Sequence, residues 1–169
     1  MNKLKRDVKN KNIFTDMNFR KAGLLIVGII AIALFFLNRK DVTLVKQDTF
    51  SVTPIGGTGY LLKSVLHLNN PNLLSSTIKT ISEKYFIEGR EVARMNMEIS
   101  QGIPGLKETS FPVNVRFSKT DLMRIFSDDT LLTSVRAEVN IVGEITFENM
   151  MSSGTISVNQ KDSVLISIL

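Results

Sequence analysis

The sequence predicts a mainly β domain, an antiparallel sandwich or barrel with one short helix, set behind a single transmembrane helix. Three observations predict it. Residues 22–37 read AGLLIVGIIAIALFFL, with no charge and no polar side chain, between Arg20-Lys21 and Arg39-Lys40. From Asp41 onward the apolar residues recur mostly at every second position, the period of a half-buried strand. Clusters of Gly, Pro and Asn separate these runs at short spacing, as in an all-β domain.

The apolar run of 16 residues makes a helix of about 24 Å, against a hydrocarbon core of about 30 Å. Phe19 and Asn38 extend it, and the four flanking cations snorkel to the two interfaces. A buried core helix would show a polar face, and this run has none. A cleaved signal peptide would use Ala31 and Ala33, but Leu34-Phe35-Phe36-Leu37 continues the apolar core beyond them, so no cleavage site is placed correctly. The segment 22–38 is therefore expected to be an uncleaved signal anchor. Seven Lys/Arg precede it, while Arg39, Lys40 and Lys46 follow. The positive-inside rule puts the tail 1–21 in the cytoplasm and the domain 42–169 across the membrane, periplasmic in a Gram-negative cell.

Within that domain the strands follow in order. Residues 42–52 form the first. Residues 60–69 place Leu62, Leu66 and Leu68 on one face. Residues 77–87 and 91–99 form a pair joined around Glu88-Gly89-Arg90, where Gly89 takes a positive φ. Phe111, Val113, Val115 and Phe117 alternate with polar or turn residues, as do Val135, Ala137, Val139 and Ile141, and finally Val164, Ile166 and Ile168 alternate with Leu165 and Ser167. Gly143 inside the 135–147 run marks a bulge or bend. One segment, 118–127, breaks the period: Leu122, Ile125 and Phe126 stand at helical spacing. Ser118 caps this short helix and Asp121 favours its first turn.

Charge and chemistry exclude several functions. Residues 1–40 carry a net charge of +7 and residues 41–169 a net −2. The basic character thus belongs to the tail, which argues against a nucleic-acid-binding domain. With no cysteine there is no disulfide, thiolate metal site, cysteine nucleophile or lipidated cysteine. The lone His67 cannot build the usual zinc site, and its neighbours Leu66 and Leu68 point the other way. No G-x-S-x-G occurs to mount a serine nucleophile. Asp128-Asp129 is a solvated turn. Gly56-Gly57-Thr58-Gly59 lacks the Lys-Ser/Thr ending of a phosphate loop and lies between strands. Leu73-Leu74 and Ile103 either cap the core or form a small apolar rim for a lipid or partner. No catalytic residue, cofactor site or metal site is expected.

The stretch Leu66-His67-Leu68-Asn69-Asn70-Pro71-Asn72, followed by Ile78, Tyr85, Ile87, Gly89 and Val92-Ala93, resembles the late embryogenesis abundant type 2 (LEA type 2) family, the water-stress and hypersensitive-response domain. Phe111-Pro112-Val113-Asn114-Val115, the single helix and residues 139–143 extend the resemblance over about 42–169. It implies a fibronectin-III-like antiparallel β-sandwich of about seven strands and no enzymatic activity. It also implies a link to desiccation stress, with some members at membranes and a suggested role in holding lipid. Asn70, Pro71, Asn72 and Gly89 are expected to be structural turn residues. Pro fixes φ and stops the strand, and the Asn amides tie down free backbone groups.

Two functions follow as expectations. One is a membrane-anchored, stress-related or envelope-stabilising module that binds membrane lipid or a protein partner. The other is a structural subunit of a multi-protein envelope assembly.

Overall fold

The computed structural model describes residues 18–126 and 134–167, with the side chains of 18–23, 49 and 50 outside the description. The basic tail before residue 18 and the Asp128-Asp129 turn lie outside the described residues. The chain divides into two compact units, 1–36 and 37–169.

The first unit contains all but the last residue of α1 (Asn18–Leu37). Most of its described apolar side chains, Leu24 to Val27, Ile29, Ile30, Ile32, Phe35 and Phe36 among them, are exposed, while Leu34 is half-buried. Among the described residues, no helix is long and apolar enough to cross a membrane, so the expected transmembrane helix is not supported. After Asn18, Arg20 and Lys21 at its start, α1 has an apolar run of about 24 Å, shorter than a hydrocarbon core of about 30 Å.

The second unit is mainly β. Its strands are β1 (Thr43–Ile55), β2 (Gly59–Asn70), β3 (Ser76–Ile87), β4 (Arg90–Ile103), β5 (Lys107–Ser118), β6 (Ser134–Glu148) and β7 (Ser153–Ser167), with α2 (Lys119–Ile125) between β5 and β6. They hydrogen-bond as one seven-stranded sheet in the order β4-β3-β6-β7-β1-β2-β5. The two separate sheets of a fibronectin-III-like sandwich are therefore not what the hydrogen bonding gives. A parallel bridge, Val52↔Ile166 between β1 and β7, makes the sheet continuous; the other neighbouring pairs are antiparallel.

Alternation sets the core. Tyr60, Leu62, Leu66 and Leu68 of β2 are buried, as are Phe111, Val113, Val115 and Phe117 of β5 and Ala137, Val139, Ile141, Ile145 and Phe147 of β6. Two strands change phase. A register shift between Ile78 and Thr80 moves the buried set of β3 from Ile78 to Ile81, Glu83, Tyr85 and Ile87. Shifts in β1 between Leu44 and Lys46 and between Thr49 and Ser51 turn Gln47 inward. A bulge adds one residue and exchanges the faces beyond it.

Gly143, expected at a bulge or bend, lies in unbroken register with both neighbours, so no bulge is present there. The reason for glycine is contact instead: a Cβ there would come 2.2 Å from the Ser82 carbonyl oxygen and 2.7 Å from the Glu83 Cα. The β3–β4 hairpin closes with two residues, Glu88 (φ 47°) and Gly89 (φ 76°), the left-handed pair that matches the twist of the strands. Ser118 caps α2 by accepting the Thr120 N–H at 3.0 Å.

Candidate functional site

The loops after β2, β4 and β6 meet at one end of the sheet, where the chain enters after α1. Buried amides hold them together. Asn72 Oδ1 accepts the Lys40 N–H at 2.9 Å, and its Nδ2 donates to the Lys40 carbonyl at 2.8 Å. Asn70 Nδ2 donates to the carbonyls of Leu74 and Ile103. Its Oδ1 accepts both the N–H and the side-chain amide of Asn72. Pro71 sits between them and contributes no N–H. Asn38 Oδ1 accepts the Leu74 N–H at 2.5 Å, and its carbonyl accepts Asn149 Nδ2 at 3.3 Å. Gly89 lies in the β3–β4 turn, at the opposite ends of those strands.

A second buried polar cluster crosses the interior. Gln47 Nε2 donates to Ser64 Oγ at 3.2 Å and to Glu83 Oε2 at 3.4 Å. The Tyr85 hydroxyl also donates to Glu83 Oε2. Gln47 Oε1 and Glu83 Oε1 are buried without a partner. Burial pushes the Glu83 carboxyl above the usual range, more strongly than the bonds from Tyr85 and Gln47 hold it down. Burial, then the neighbouring Glu83 charge, likewise pushes the Tyr85 hydroxyl up.

On the outer face, strand pairing gathers residues that sequence spacing keeps far apart. His67 Nε2 stands 3.2 Å from Asp48 Oδ2, and His67 Nδ1 stands 3.0 Å from Ser110 Oγ and 3.5 Å from Glu108 Oε1. A hydrogen bond from Lys46, at 2.8 Å, holds the Asp48 carboxyl below its usual range. The set has the composition of a Ser-His-Asp triad, yet Ser110 lies in regular strand pairing opposite His67, and Glu108 competes for the same ring nitrogen. A triad also needs its serine on a strained turn beside donors for an oxyanion, and Ser110 lies within the strand Lys107–Ser118. The two carboxylates address opposite nitrogens of one ring, so they cannot share an ion with it. Among the described residues no group of three or more His, Cys, Asp or Glu is placed to hold a metal ion.

An apolar cavity lies elsewhere. About 270 Å³ in volume, it is walled by Ile81, Met97, Ile99, Phe111, Pro112 and Val113, with Ser100 and Gln101 beside them. Its walls come from β3 and β4 at one end of the strand order and from β5 at the other. The sheet therefore curls until its two edges face each other, and the cleft between them is lined chiefly by apolar side chains. Of the rim expected in the sequence, Ile103 belongs to the core and Leu73 is exposed. The approach of β4 to β5 across the cleft left no signal in the sequence, because the two strands end the strand order and meet only through the curl of the sheet.

Three solved structures share the fold. A crystal structure of a protein from Archaeoglobus fulgidus matches with a TM-score of 0.55 and 8% identity, covering 72% of this chain and 95% of that one. The solution structure of AT1g01470 from Arabidopsis thaliana matches with a TM-score of 0.58 and 14% identity, over 72% of this chain and 78% of that one. The solution structure of At2g46140.1, assigned to the late embryogenesis abundant (LEA) proteins, matches with a TM-score of 0.53 and 20% identity, over 88% and 87%. No curated protein sequence matches the chain. The family model LEA_2, late embryogenesis abundant protein, matches residues 65–162, more than half of the chain. The chain therefore belongs to the LEA_2 family.

Proposed function

We propose that the protein is a non-enzymatic, stress-related LEA type 2 domain held at a membrane by α1, and that the cleft between β4 and β5 receives an acyl chain of a membrane lipid. The observation that carries the proposal is the cleft: an apolar cavity between two sheet edges. Its volume of about 270 Å³ is near the lower limit for small-molecule sites, about 300 Å³, and suits one slender apolar segment. The exposed apolar side chains around α1 support attachment. Its apolar run crosses the bilayer only with help from the snorkelling of Arg20, Lys21, Arg39 and Lys40. The cation bias before α1 supports a cytoplasmic N-terminus with the β domain across the membrane. A reporter fused after Leu169 is then active only outside the cytoplasm.

Native mass spectrometry of the full chain, extracted in mild detergent, tests the lipid assignment. Wild type carries a lipid mass. Ile99→Trp, which fills the cleft, loses it while its circular dichroism stays unchanged. Wild type without bound lipid would defeat the assignment.

A second proposal, a subunit of an envelope assembly, draws support from the same two edges. β4 and β5 each end the strand order and offer unpaired backbone groups to a partner's strand. Crosslinking in native membranes would then capture one partner at fixed stoichiometry.

A further inference from the structure

Four large apolar side chains stand in solvent at the loop end of the sheet: Leu73 (47% exposed), Leu106 (64%), Met150 (84%) and Met151 (41%). They occupy three separate turns, after β2, β4 and β6. The turns are tied to one another: the Leu106 N–H donates to the Asn72 carbonyl at 2.8 Å, and Asn38 bonds both Leu74 and Asn149. The hairpin turns at the opposite end, 56–58 and 88–89, carry no large apolar side chain. Leu106 is held at φ 55°, a left-handed conformation that strains a non-glycine residue. Its exposed side chain gives the core nothing in return. Separate apolar residues in solvent are ordinary, but a cluster on joined loop tips marks a contact surface.

We propose that Leu73, Leu106, Met150 and Met151 form a second contact with the bilayer, inserting at the lipid interface beside the end of α1. This rests on the proposal that α1 lies in the membrane. The last residue of α1, Leu37, is followed directly by Asn38, which is bonded into this loop end. Connectivity alone keeps these tips within reach of the lipid surface, whatever direction the helix takes. The occupant is lipid because the tips are one or two residues on each of three separate turns, suited to a fluid interface. Nearby cations (Arg39, Lys40, Lys107) and carboxylates (Asp41, Glu108) nearly balance, so insertion is apolar and depends little on anionic lipid.

The absence of cysteine makes the test direct. Single variants Leu106→Cys, Met150→Cys, Ile30→Cys and Thr58→Cys of the full chain, each carrying an environment-sensitive fluorophore, are reconstituted in phosphatidylcholine vesicles with and without brominated acyl chains. The labels at 106, 150 and 30 should shift to the blue and be quenched by bromine, while the label at 58 should not. Quenching at 30 with none at 106 and 150 overturns the loop contact and leaves the membrane proposal standing. No quenching at 30 overturns both. Leu106→Gly separates structure from contact: relief of the positive φ raises the melting temperature, while loss of the leucine weakens quenching of the label at 150. A melting change with unaltered quenching at 150 contradicts the inference.

Discussion

Two clusters of buried polar side chains lie in one β domain and solve the same problem differently. At the loop end, Asn38, Asn70 and Asn72 are fully buried, and none of their buried side-chain atoms lacks a partner. Their amides serve backbone groups that the turns would otherwise strand. In the interior, Gln47, Ser64, Glu83 and Tyr85 bond one another, yet Gln47 Oε1 and Glu83 Oε1 remain unpartnered. A short amide on a turn finds backbone nearby. A carboxyl inside a sheet does not, because the ladder already uses the backbone, so Glu83 is driven toward its neutral form. The first cluster should hold the fold together; the second should tax it.

The largest expected effect comes from breaking the satisfied cluster. Asn72→Ala strands the N–H and carbonyl of Lys40 and one lone pair of Asn70, a loss of about 4 kcal/mol at roughly 1–3 per stranded group. Chemical denaturation of the full chain in detergent measures it, and a loss below about 1 kcal/mol would contradict the role given to Asn72. If the cleft holds lipid as proposed, occupancy of the folded fraction should persist, because the cleft residues are untouched.

Next comes Gly143→Ala, which presses a methyl onto the Ser82 carbonyl and the Glu83 backbone. Backbone cannot give way as a flexible side chain does, so the expected loss is about 3 kcal/mol. An unchanged melting temperature would show that the two strands stand further apart than described.

Relieving the unsatisfied cluster should work in the opposite direction. Glu83→Gln keeps an acceptor for the Tyr85 hydroxyl and removes the ionisable group, so at pH 7 it should stabilise the chain by about 1–2 kcal/mol. The pH dependence carries the sign. A carboxyl whose folded-state pKa is raised binds more protons folded than unfolded, across the interval between the ordinary glutamate range and the raised value. In that interval stability falls as pH rises, by about 1.4 kcal/mol for each unit separating the two pKa values. Below it the penalty is absent. Glu83→Gln should therefore match wild type in acid and exceed it at neutral pH. A constant gap between the two melting curves across pH would refute the assignment.

The smallest effect is expected on the outer face. Ser110→Ala removes the hydroxyl beside His67 and should change stability by less than about 0.5 kcal/mol. Hydrolysis of an activated ester by wild type but not by this variant would require the row of Asp48, His67 and Ser110 to be reconsidered.

Much of the fold was legible because alternation and turn chemistry act locally. Leu62, Leu66 and Leu68 declared β2, Phe111 to Phe117 declared β5, and Ser118 with Asp121 declared α2. Gly89 stood where a two-residue hairpin needs positive φ. The features that escaped are non-local. Bulges in β1 and β3 exchange faces without a distinctive residue, so the inward turn of Gln47 and Glu83 was hidden. The first half of β7 reads as turn-rich because Ser153, Gly154, Asn159 and Gln160 dilute its alternation. The approach of His67 to Asp48 and Ser110 depends on register across three strands, and the cleft depends on how the sheet curls. Leu106 left no sequence signal either, since leucine is not expected at positive φ.

Sodium carbonate washing of membranes that contain the full chain tests the central claim most directly, because it strips proteins held only by charge and retains those held by apolar contact with lipid. Attachment through α1 predicts that the intact chain stays in the pellet, and that Ile29→Asp together with Ile32→Asp moves it to the supernatant. Intact wild-type chain recovered from the supernatant as a soluble monomer would contradict the account.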